Sequence, residues 1–446
     1  MIEWTLHTCP KLEERYYELI HESGLRICLS PKELSAAYAI VGIGYGSRDR
    51  FSGGALPMGV AHFLEHKMFE RPGGETWEDT FSALGAEVNA YTSDDHTAYM
   101  FSATDRVPEA LTALVRMVTD LSVTGASVKR ERGIIAEEIR MNADDPWEVC
   151  YANMLRGLYA PVKAGGNPVR EEICGTEASI RRIKPASLAE AYKRFYRPDN
   201  MVLAIAGHIT PDEVLTAVDE ALRDRKPAKS RWKAPASKHR PRDPAEVYKT
   251  RISETMDTAK PLFSIGIKIP KLSGHPMDLV LLERRMTVLS EMLFSRSGDF
   301  YDHLFETGLV SPGMSYGSSA GRPSLGIHGE DGYGYFYLSG ECDDPEAVYA
   351  AFAEHMERLH RQGLDPSAFD RAKRTLYADF IYGFDSTEGI ASSLMTTAMD
   401  GVGLYDLMAL DADMTYADVS ELFEQVFQPT QYTLSTVIPP QENSGA

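Results

Sequence analysis

The segment Ala61–His66 holds two histidines four residues apart with a glutamate between them, in the order H-x-x-E-H. Because an α-helix has about 3.6 residues per turn, His62 and His66 would lie one above the other and could both reach one metal ion. Glu65 would lie at the edge of the same face, where it could contact a water on the metal without being a ligand. This order is a signature of zinc hydrolases. The alternative is a surface helix with two unrelated histidines, so the interpretation requires a further ligand elsewhere in the fold.

A catalytic zinc site has three protein ligands and keeps one position for water. Residues 128–141 predict a helix. On a helical wheel Ile134, Ile135 and Glu138 share one stripe, whereas Glu137 points away from it. A carboxylate in an apolar stripe is costly unless a cation pairs with it, and a metal ion would do so. Glu138 is therefore the predicted third ligand, and Glu137 is a predicted solvated neighbour.

Two polar residues belong to the start of this helix. Ser127 is the predicted N-cap, and Glu131 lies just inside the first turns. Glu131 falls on the stripe of Glu138, two turns earlier, where it could orient a ligand or the catalytic water. We therefore count Glu131 with Glu65 among the candidate catalytic residues. The alternative for Glu131 and Glu138 is a capping or salt-bridging acid.

Several segments of the first half resemble the insulinase/pitrilysin family of inverzincin zinc peptidases. The size of the chain is similar to that of mitochondrial processing peptidase and its small two-domain bacterial relatives. Within the family, the greatest likeness is to cytosolic bacterial members associated with aminopentanol modification of elongation factor P. The segments that carry the resemblance are residues 59–70, 83–104, 128–146, 175–183 and 196–209.

Mixed strands and helices with short connections predict an α+β fold, in which a sheet is covered by helices. The resemblance implies two related α/β-roll domains, each an antiparallel sheet backed by helices, which close like a clam around a chamber. An internal repeat agrees with this, because residues 99–111 align without gaps to residues 336–348 as a strand, a polar turn and a helix that opens with Pro-Glu. The second half lacks H-x-x-E-H, and its His355 and His360 are predicted to be solvent-facing. One half would hold the metal, and the other would serve as a wall.

The predicted domains are residues 1–222, which bind the metal, and residues 246–446, which do not. Residues 223–245 between them are predicted to be a linker. Its first twenty residues, 223–242, hold nine Lys or Arg, one acid and three prolines, without apolar periodicity. A nucleic-acid-binding tail is the alternative, but the central position favours a linker.

Composition predicts a cytoplasmic protein. The net charge of −19 disfavours nucleic acid as a partner. No stretch approaches the roughly twenty apolar residues of a membrane span, and the first residues do not resemble a signal peptide. The five cysteines are an odd number without paired spacing, which is typical of a reducing compartment.

The resemblance also implies how a substrate is bound and cut. In the family, the strand that matches residues 85–92 lies beside the zinc at a sheet edge, and a peptide adds to it as a further strand. Asn89, Ala90 and Tyr91 are the candidate substrate-binding residues, and the alternative for them is an ordinary core strand. His96, in the following turn, is predicted to be a turn residue rather than a ligand. One zinc ion per chain would activate water and polarise the scissile carbonyl, with Glu65 as general base.

One segment of the second half departs from the family. Relatives carry there an arginine near a helix end and a tyrosine after a Gly-Leu pair, which together hold the substrate backbone. Residues 303–311 contain no arginine, and Ser311 or Pro312 stands where the tyrosine would be, with Tyr316 following later. Three hypotheses remain open: a zinc endopeptidase, a catalytically silent scaffold, and an active subunit that needs a related chain lacking H-x-x-E-H. We expect a homodimer, or a heterodimer with such a chain.

Overall fold

The computed structural model describes residues 3–51, 56–162, 166–223, 243–270, 272, 276–321 and 332–440. Within these ranges runs of strands and runs of helices follow one another along the chain, and the strands form two sheets covered by helices. The strands are β1 Thr5–Cys9, β2 Glu14–Ile20, β3 Arg26–Pro31, β4 Ala37–Ile43, β5 Ala86–Thr92, β6 Thr97–Ala103, β7 Met201–Gly207, β8 Arg251–Thr255, β9 Leu262–Lys268, β10 Ser315–Gly321, β11 Tyr333–Glu341 and β12 Tyr432–Ile438. The helices are α1 Val60–Lys67, α2 Trp77–Ala83, α3 Val107–Thr119, α4 Gly125–Asp144, α5 Pro146–Leu158, α6 Glu177–Ile180, α7 Pro185–Phe195, α8 Pro211–Leu222, α9 Pro276–Phe294, α10 Asp299–Glu306, α11 Pro345–Gln362, α12 Pro366–Tyr382, α13 Thr387–Asp400, α14 Asp406–Asp413 and α15 Tyr416–Val426.

The first sheet has the strand order β1-β2-β3-β7-β4-β6-β5, so β5 lies at an edge. Its central strand β7 is buried along its whole length because helices cover both faces, which explains its uninterrupted apolar sequence. Residues of α1, α3, α7 and α8 form the core on one face. The H-x-x-E-H motif therefore lies on a helix that is packed against the first sheet.

The second sheet repeats the first. Its order β8-β12-β9-β11-β10 corresponds to β3-β7-β4-β6-β5, and the repeated segments of the sequence are β6–α3 and β11–α11, at the same place in each sheet. This correspondence supports duplication and confirms the predicted α+β fold with two related halves. Each sheet also contains one parallel pair, β3 with β7 and β8 with β12. The sheets are therefore mixed, whereas the resemblance implied antiparallel sheets.

Each half contributes a helix to the other half's sheet. Helix α13 packs on β3, β4 and β7, and helix α5 packs on β9 and β12. Two glycines make room for this exchange: a Cβ on Gly42 would lie 3.0 Å from Cγ of Met395, and a Cβ on Gly266 would lie 2.7 Å from Cγ of Met154. The two sheets thus share helices. The linker prediction falls mostly on residues 224–242, outside the described part of the chain, and the domain boundaries stay a prediction.

The structure corrects three local predictions. Helix α4 begins at Gly125 and is capped by Thr124, with Ser127 completing the capping box at the third helical position. Ile134 is 57% exposed, so the predicted stripe is buried only on the side of Ile135. His355 and His360, predicted to face solvent, are half-buried because their rings pack on phenylalanines.

Candidate active site

Helix α1 carries the two histidines of the motif. Phe63 and Leu64, between them, are completely buried and anchor the helix in the first core. On the other side of the helix the His62 and His66 rings lie with their centroids 4.6 Å apart. The N-cap residue before the helix is Gly59, whose φ of +86° is a left-handed conformation that glycine adopts without strain. Both imidazoles consequently project from a rigid element toward α4, which packs beside α1.

Helix α4 brings Glu138 between the two histidines. Glu138 Oε1 lies 3.3 Å from His62 Nε2, and Glu138 Oε2 lies 3.7 Å from His66 Nε2. Two ligands about 2.0–2.1 Å from one tetrahedral ion would be roughly 3.4 Å apart, and both Glu138 separations are close to this value. The compact group of potential ligands among the described residues contains His62, Glu138 and Cys174 and does not include His66. Glu137 points elsewhere: its side chain is 71% exposed and accepts a hydrogen bond from Arg140. The hydrogen bond from His62 and the charges of both histidines lower the pKa of Glu138 despite its partial burial.

Glu131, two helical turns before Glu138, contacts His66 at Nδ1, the ring nitrogen that does not face Glu138. Its Oε1 lies 3.1 Å from His66 Nδ1, and its Oε2 accepts a hydrogen bond from Lys67 over 3.5 Å. When Nδ1 carries the proton, Nε2 presents its lone pair to a metal. Burial opposes the charged form of His66, but the hydrogen bond to Glu131 and the nearby carboxylates outweigh it and raise the pKa of His66. Lys67 is completely buried and also pairs with Glu70, so Glu131 is anchored by a cation.

His62 is fixed differently. Its Nδ1 atom is buried without a hydrogen-bond partner among the residues that the structure describes. Its ring is therefore oriented by packing and by the contact of Nε2 with Glu138. This arrangement leaves Nε2 as the atom that can bind a metal.

Glu65 lies beside the histidines and, like them, lines the cavity, but it is not in the compact group of potential metal ligands. It is 8% exposed, and its Oε2 accepts a hydrogen bond of 2.6 Å from the Thr92 hydroxyl at the end of β5. A buried carboxylate held in this way can accept a proton from a nucleophile located between it and the metal. Sequence reasoning did not identify Thr92, because only the tertiary fold brings the end of β5 to α1.

The edge strand β5 passes the same site. Among the described strands it pairs only with β6, so its other edge is available to an extended peptide. Ala90 and Tyr91 line a cavity of about 510 Å³ together with the histidines and Glu65. Asn89 is exposed, and its Oδ1 accepts a hydrogen bond from the Ala90 amide over 2.8 Å. His96 lies in the turn after β5, bonded to Ser93, Asp95 and Tyr91, and does not reach the metal ligands.

The second half contributes little to this cavity. Tyr316 does not take part, because its hydroxyl donates a hydrogen bond of 2.7 Å to Glu291 in the second core. Among the described residues of the second half, the cavity lining includes Tyr335, on β11, whose hydroxyl lies 2.5 Å from that of Tyr151 on α5. Arg170, from the first half, also lines the cavity.

Cys174 also borders the site, although no sequence motif points to it. Its Sγ lies 3.8 Å from His62 Nε2 and 3.7 Å from Glu138 Oε1. Burial, followed by the charge of Glu138, raises the pKa of the Cys174 thiol to about 12. More than a hundred residues separate Cys174 from His62, so no spacing rule could relate the two.

A larger cavity, of about 1100 Å³, is not lined by His62, His66 or Glu138 and includes Arg71, Trp77, Arg116 and Arg197 in its lining. Its arginines already have carboxylate partners, for example Arg116 with Glu220. His21 and Ser23 also line it, with His21 bonded to Ser23 and Asp219. The compact group of potential metal ligands among the described residues, which includes His62 and Glu138, borders the smaller cavity, so we assign the chemistry there.

Comparison with known proteins agrees with this geometry. The profile of the insulinase family (peptidase family M16) matches residues 30–165, which include the histidine motif and Glu138. The profile described as the M16 inactive domain matches residues 182–376. The chain is 29% identical over 437 residues to the "uncharacterized zinc protease YmfH" of Bacillus subtilis, covering 96% of this chain and 98% of that protein.

Solved structures give the same result. An M16-like peptidase from Alicyclobacillus acidocaldarius is 30% identical, with a TM-score of 0.86, over 97% of this chain and all of that one. Pitrilysin shares the fold, with a TM-score of 0.74 and 17% identity, over 99% of this chain and 47% of the pitrilysin chain. Within the described ranges no helix is both long and apolar enough to cross a membrane. The two profiles together match most of the chain, and it belongs to the insulinase family, M16, of zinc peptidases.

Proposed function

We propose that this protein is a zinc-dependent endopeptidase that hydrolyses peptides or small unfolded proteins. The observation that carries the proposal is the convergence of His62, His66 and Glu138, with Glu65 beside them, in a cavity next to an open sheet edge. A scaffold would not need to keep a buried carboxylate next to three metal-binding groups, because unpaired buried charge destabilises a fold. A relative that is named a zinc protease and matches this chain over nearly its whole length supports zinc as the metal. We propose one zinc ion per chain.

Each residue has a separate role in this proposal. His62, His66 and Glu138 would hold the zinc ion, which when bound lowers the pKa of water and polarises the scissile carbonyl. Glu65 takes the proton of the attacking water and returns it to the leaving amine. Glu131 orients His66 and is a positioning residue in this account.

The peptide is proposed to bind as an added strand along β5. Its backbone would then pair with the outer edge of β5 at Asn89, Ala90 and Tyr91, which selects for an extended chain more than for particular side chains. The exposed Asn89 amide is available to a peptide main chain, although its Oδ1 bonds the Ala90 amide in this structure. The small side chain of Ala90 keeps the cleft beside the metal ligands open.

The test of the chemistry is Glu65→Gln. We expect this variant to keep its zinc and to lose at least about a hundredfold in hydrolysis of an internally quenched peptide, because a general base is lost and no ligand is. The control is Glu137→Gln, which changes an exposed carboxylate on α4. Wild-type hydrolysis by Glu65→Gln would refute the assignment of the base.

A second proposal concerns a partner. Tyr316 bonds Glu291, and residues 303–311 have no arginine, so this chain's second half offers few groups to hold a peptide opposite β5. We therefore expect the isolated chain, or its homodimer, to be a weak peptidase that a related chain lacking H-x-x-E-H activates. A displacement of about an ångström in the scissile bond can cost roughly a hundredfold in rate. Assay of the pure chain with and without such a chain tests this; full activity alone would refute it. A cytoplasmic location stays a prediction.

A further inference from the structure

Cys174 lies next to two of the proposed metal ligands, although it is far from both of them in the sequence. The ligand atoms of His62, Glu138 and Cys174 all lie within 4.8 Å of one another, and His66 is not part of this group. His66 Nε2 lies 3.7 Å from Glu138 Oε2, so it would complete the site from the other carboxylate oxygen. A sulfur ligand about 2.3 Å from zinc and a nitrogen ligand about 2.0–2.1 Å from it would be roughly 3.6 Å apart at a tetrahedral angle. The observed distances from Sγ, 3.8 Å to His62 and 3.7 Å to Glu138, are close to this value.

Two backbone features hold the thiol there. Gly59, immediately before α1, packs so closely on the Cys174 carbonyl that a side chain at Gly59 would collide with it. Gly175 has a φ of +80°, and a Cβ there would lie 2.9 Å from the Met58 carbonyl oxygen. The loop that carries Cys174 is therefore packed against the start of the metal-binding helix. The thiol is partly buried and lies on the side of His62 that faces Glu138.

We propose that Cys174 is a fourth ligand of the metal held by His62, His66 and Glu138, and that it closes the site in the resting chain. This inference rests on the proposed zinc site. The thiol would release its proton to solvent when the sulfur binds zinc. Four protein ligands are typical of a structural zinc site, whereas a catalytic site keeps one position for water. The substrate or its attacking water must then displace the Cys174 sulfur before hydrolysis.

X-ray absorption by zinc in the purified full-length protein tests the ligand directly. We expect the wild type to have a zinc–sulfur shell at about 2.3 Å beside its nitrogen and oxygen neighbours. Cys174→Ser should lose that shell and keep the zinc. Cys28→Ser is the matched control, because Cys28 is a buried cysteine on β3, packed against α13 residues in a different core cluster. Cobalt loading gives a second readout: the near-ultraviolet sulfur-to-cobalt absorption should be present in the wild type and in Cys28→Ser and absent from Cys174→Ser.

Peptide hydrolysis tests the closure. If the sulfur blocks the site, Cys174→Ser should have a higher kcat/KM than the wild type, and Cys28→Ser should not. A wild-type zinc site with only nitrogen and oxygen neighbours would overturn this inference and leave the proposed peptidase intact. Equal or lower kcat/KM in a zinc-loaded Cys174→Ser would overturn the closure. A wild type that binds no zinc would overturn the proposed function as well.

Discussion

The hydrogen bond from Thr92 to Glu65 offers a direct test of how the fold prepares the catalytic base. The Thr92 hydroxyl donates to Glu65 Oε2 over 2.6 Å, and Glu65 is only 8% exposed, so water cannot readily replace the donor. Thr92→Val removes the hydroxyl and keeps the branched shape that suits a strand. A hydrogen bond to a charged group contributes about 1.5–3 kcal/mol. This contribution concerns stability, so the free energy of unfolding should decrease by about that amount. Because the hydroxyl also holds Glu65 in position, and a displacement of about an ångström can cost roughly a hundredfold in rate, kcat/KM should fall by up to roughly a hundredfold.

The assay is hydrolysis of an internally quenched peptide together with the zinc content of the same sample. Thr92→Val should keep its zinc, because Thr92 contacts no proposed ligand of the metal. Thr92→Ser keeps a hydroxyl at the same place and should retain most of the wild-type rate. A Thr92→Val protein with the wild-type kcat/KM would refute the reasoning. Equal impairment of both variants would instead indicate that the hydroxyl alone is not sufficient, because Thr92→Ser retains it and loses only the methyl group.

Two further predictions concern metal binding and acid stability. Glu138→Gln should lower the zinc content of the purified protein, whereas Glu137→Gln should not, because only Glu138 lies between the two histidines. Zinc quantitation of both variants tests this, and a greater zinc loss in Glu137→Gln would contradict it. His355 is neutral in the fold because burial, followed by the charge of Arg358, lowers its pKa to about 4. The unfolded chain binds a proton there below about pH 6.5, so the free energy of unfolding should decrease by up to about 3 kcal/mol as the pH falls from 6.5 to 4. In urea denaturation His355→Gln should lose this part of the pH dependence, and an unchanged profile would refute the assignment.

Much of the site could be predicted from the sequence because it depends on helical spacing. The interval of four residues between His62 and His66 determines that both project from one side of α1, and the same periodicity separates Glu138 from Glu137. The duplication was also visible, since strand and helix patterns recur at the same interval in both halves. The family and the α+β fold are confirmed by the comparisons.

The buried stripe of α4 shows where periodicity stops being sufficient. A helical wheel places Ile134 and Ile135 on the same stripe and predicts that both are buried. In the structure Ile135 is completely buried, whereas Ile134 is 57% exposed. The direction from which neighbouring elements pack on a helix decides this, and a single segment carries no information about that direction. For the same reason the sequence did not predict that α5 packs on the second sheet and α13 on the first.

The sequence by itself determined the local geometry of the proposed zinc ligands, because neighbours on a helix are related by a fixed rotation and rise. The tertiary structure alone decided which distant groups surround them. Thr92 reaches Glu65 because β5 ends beside α1, and Cys174 reaches His62 because two glycines let its loop pack against the start of that helix. Contacts between residues far apart in the chain depend on how whole elements pack, and no local pattern records that packing.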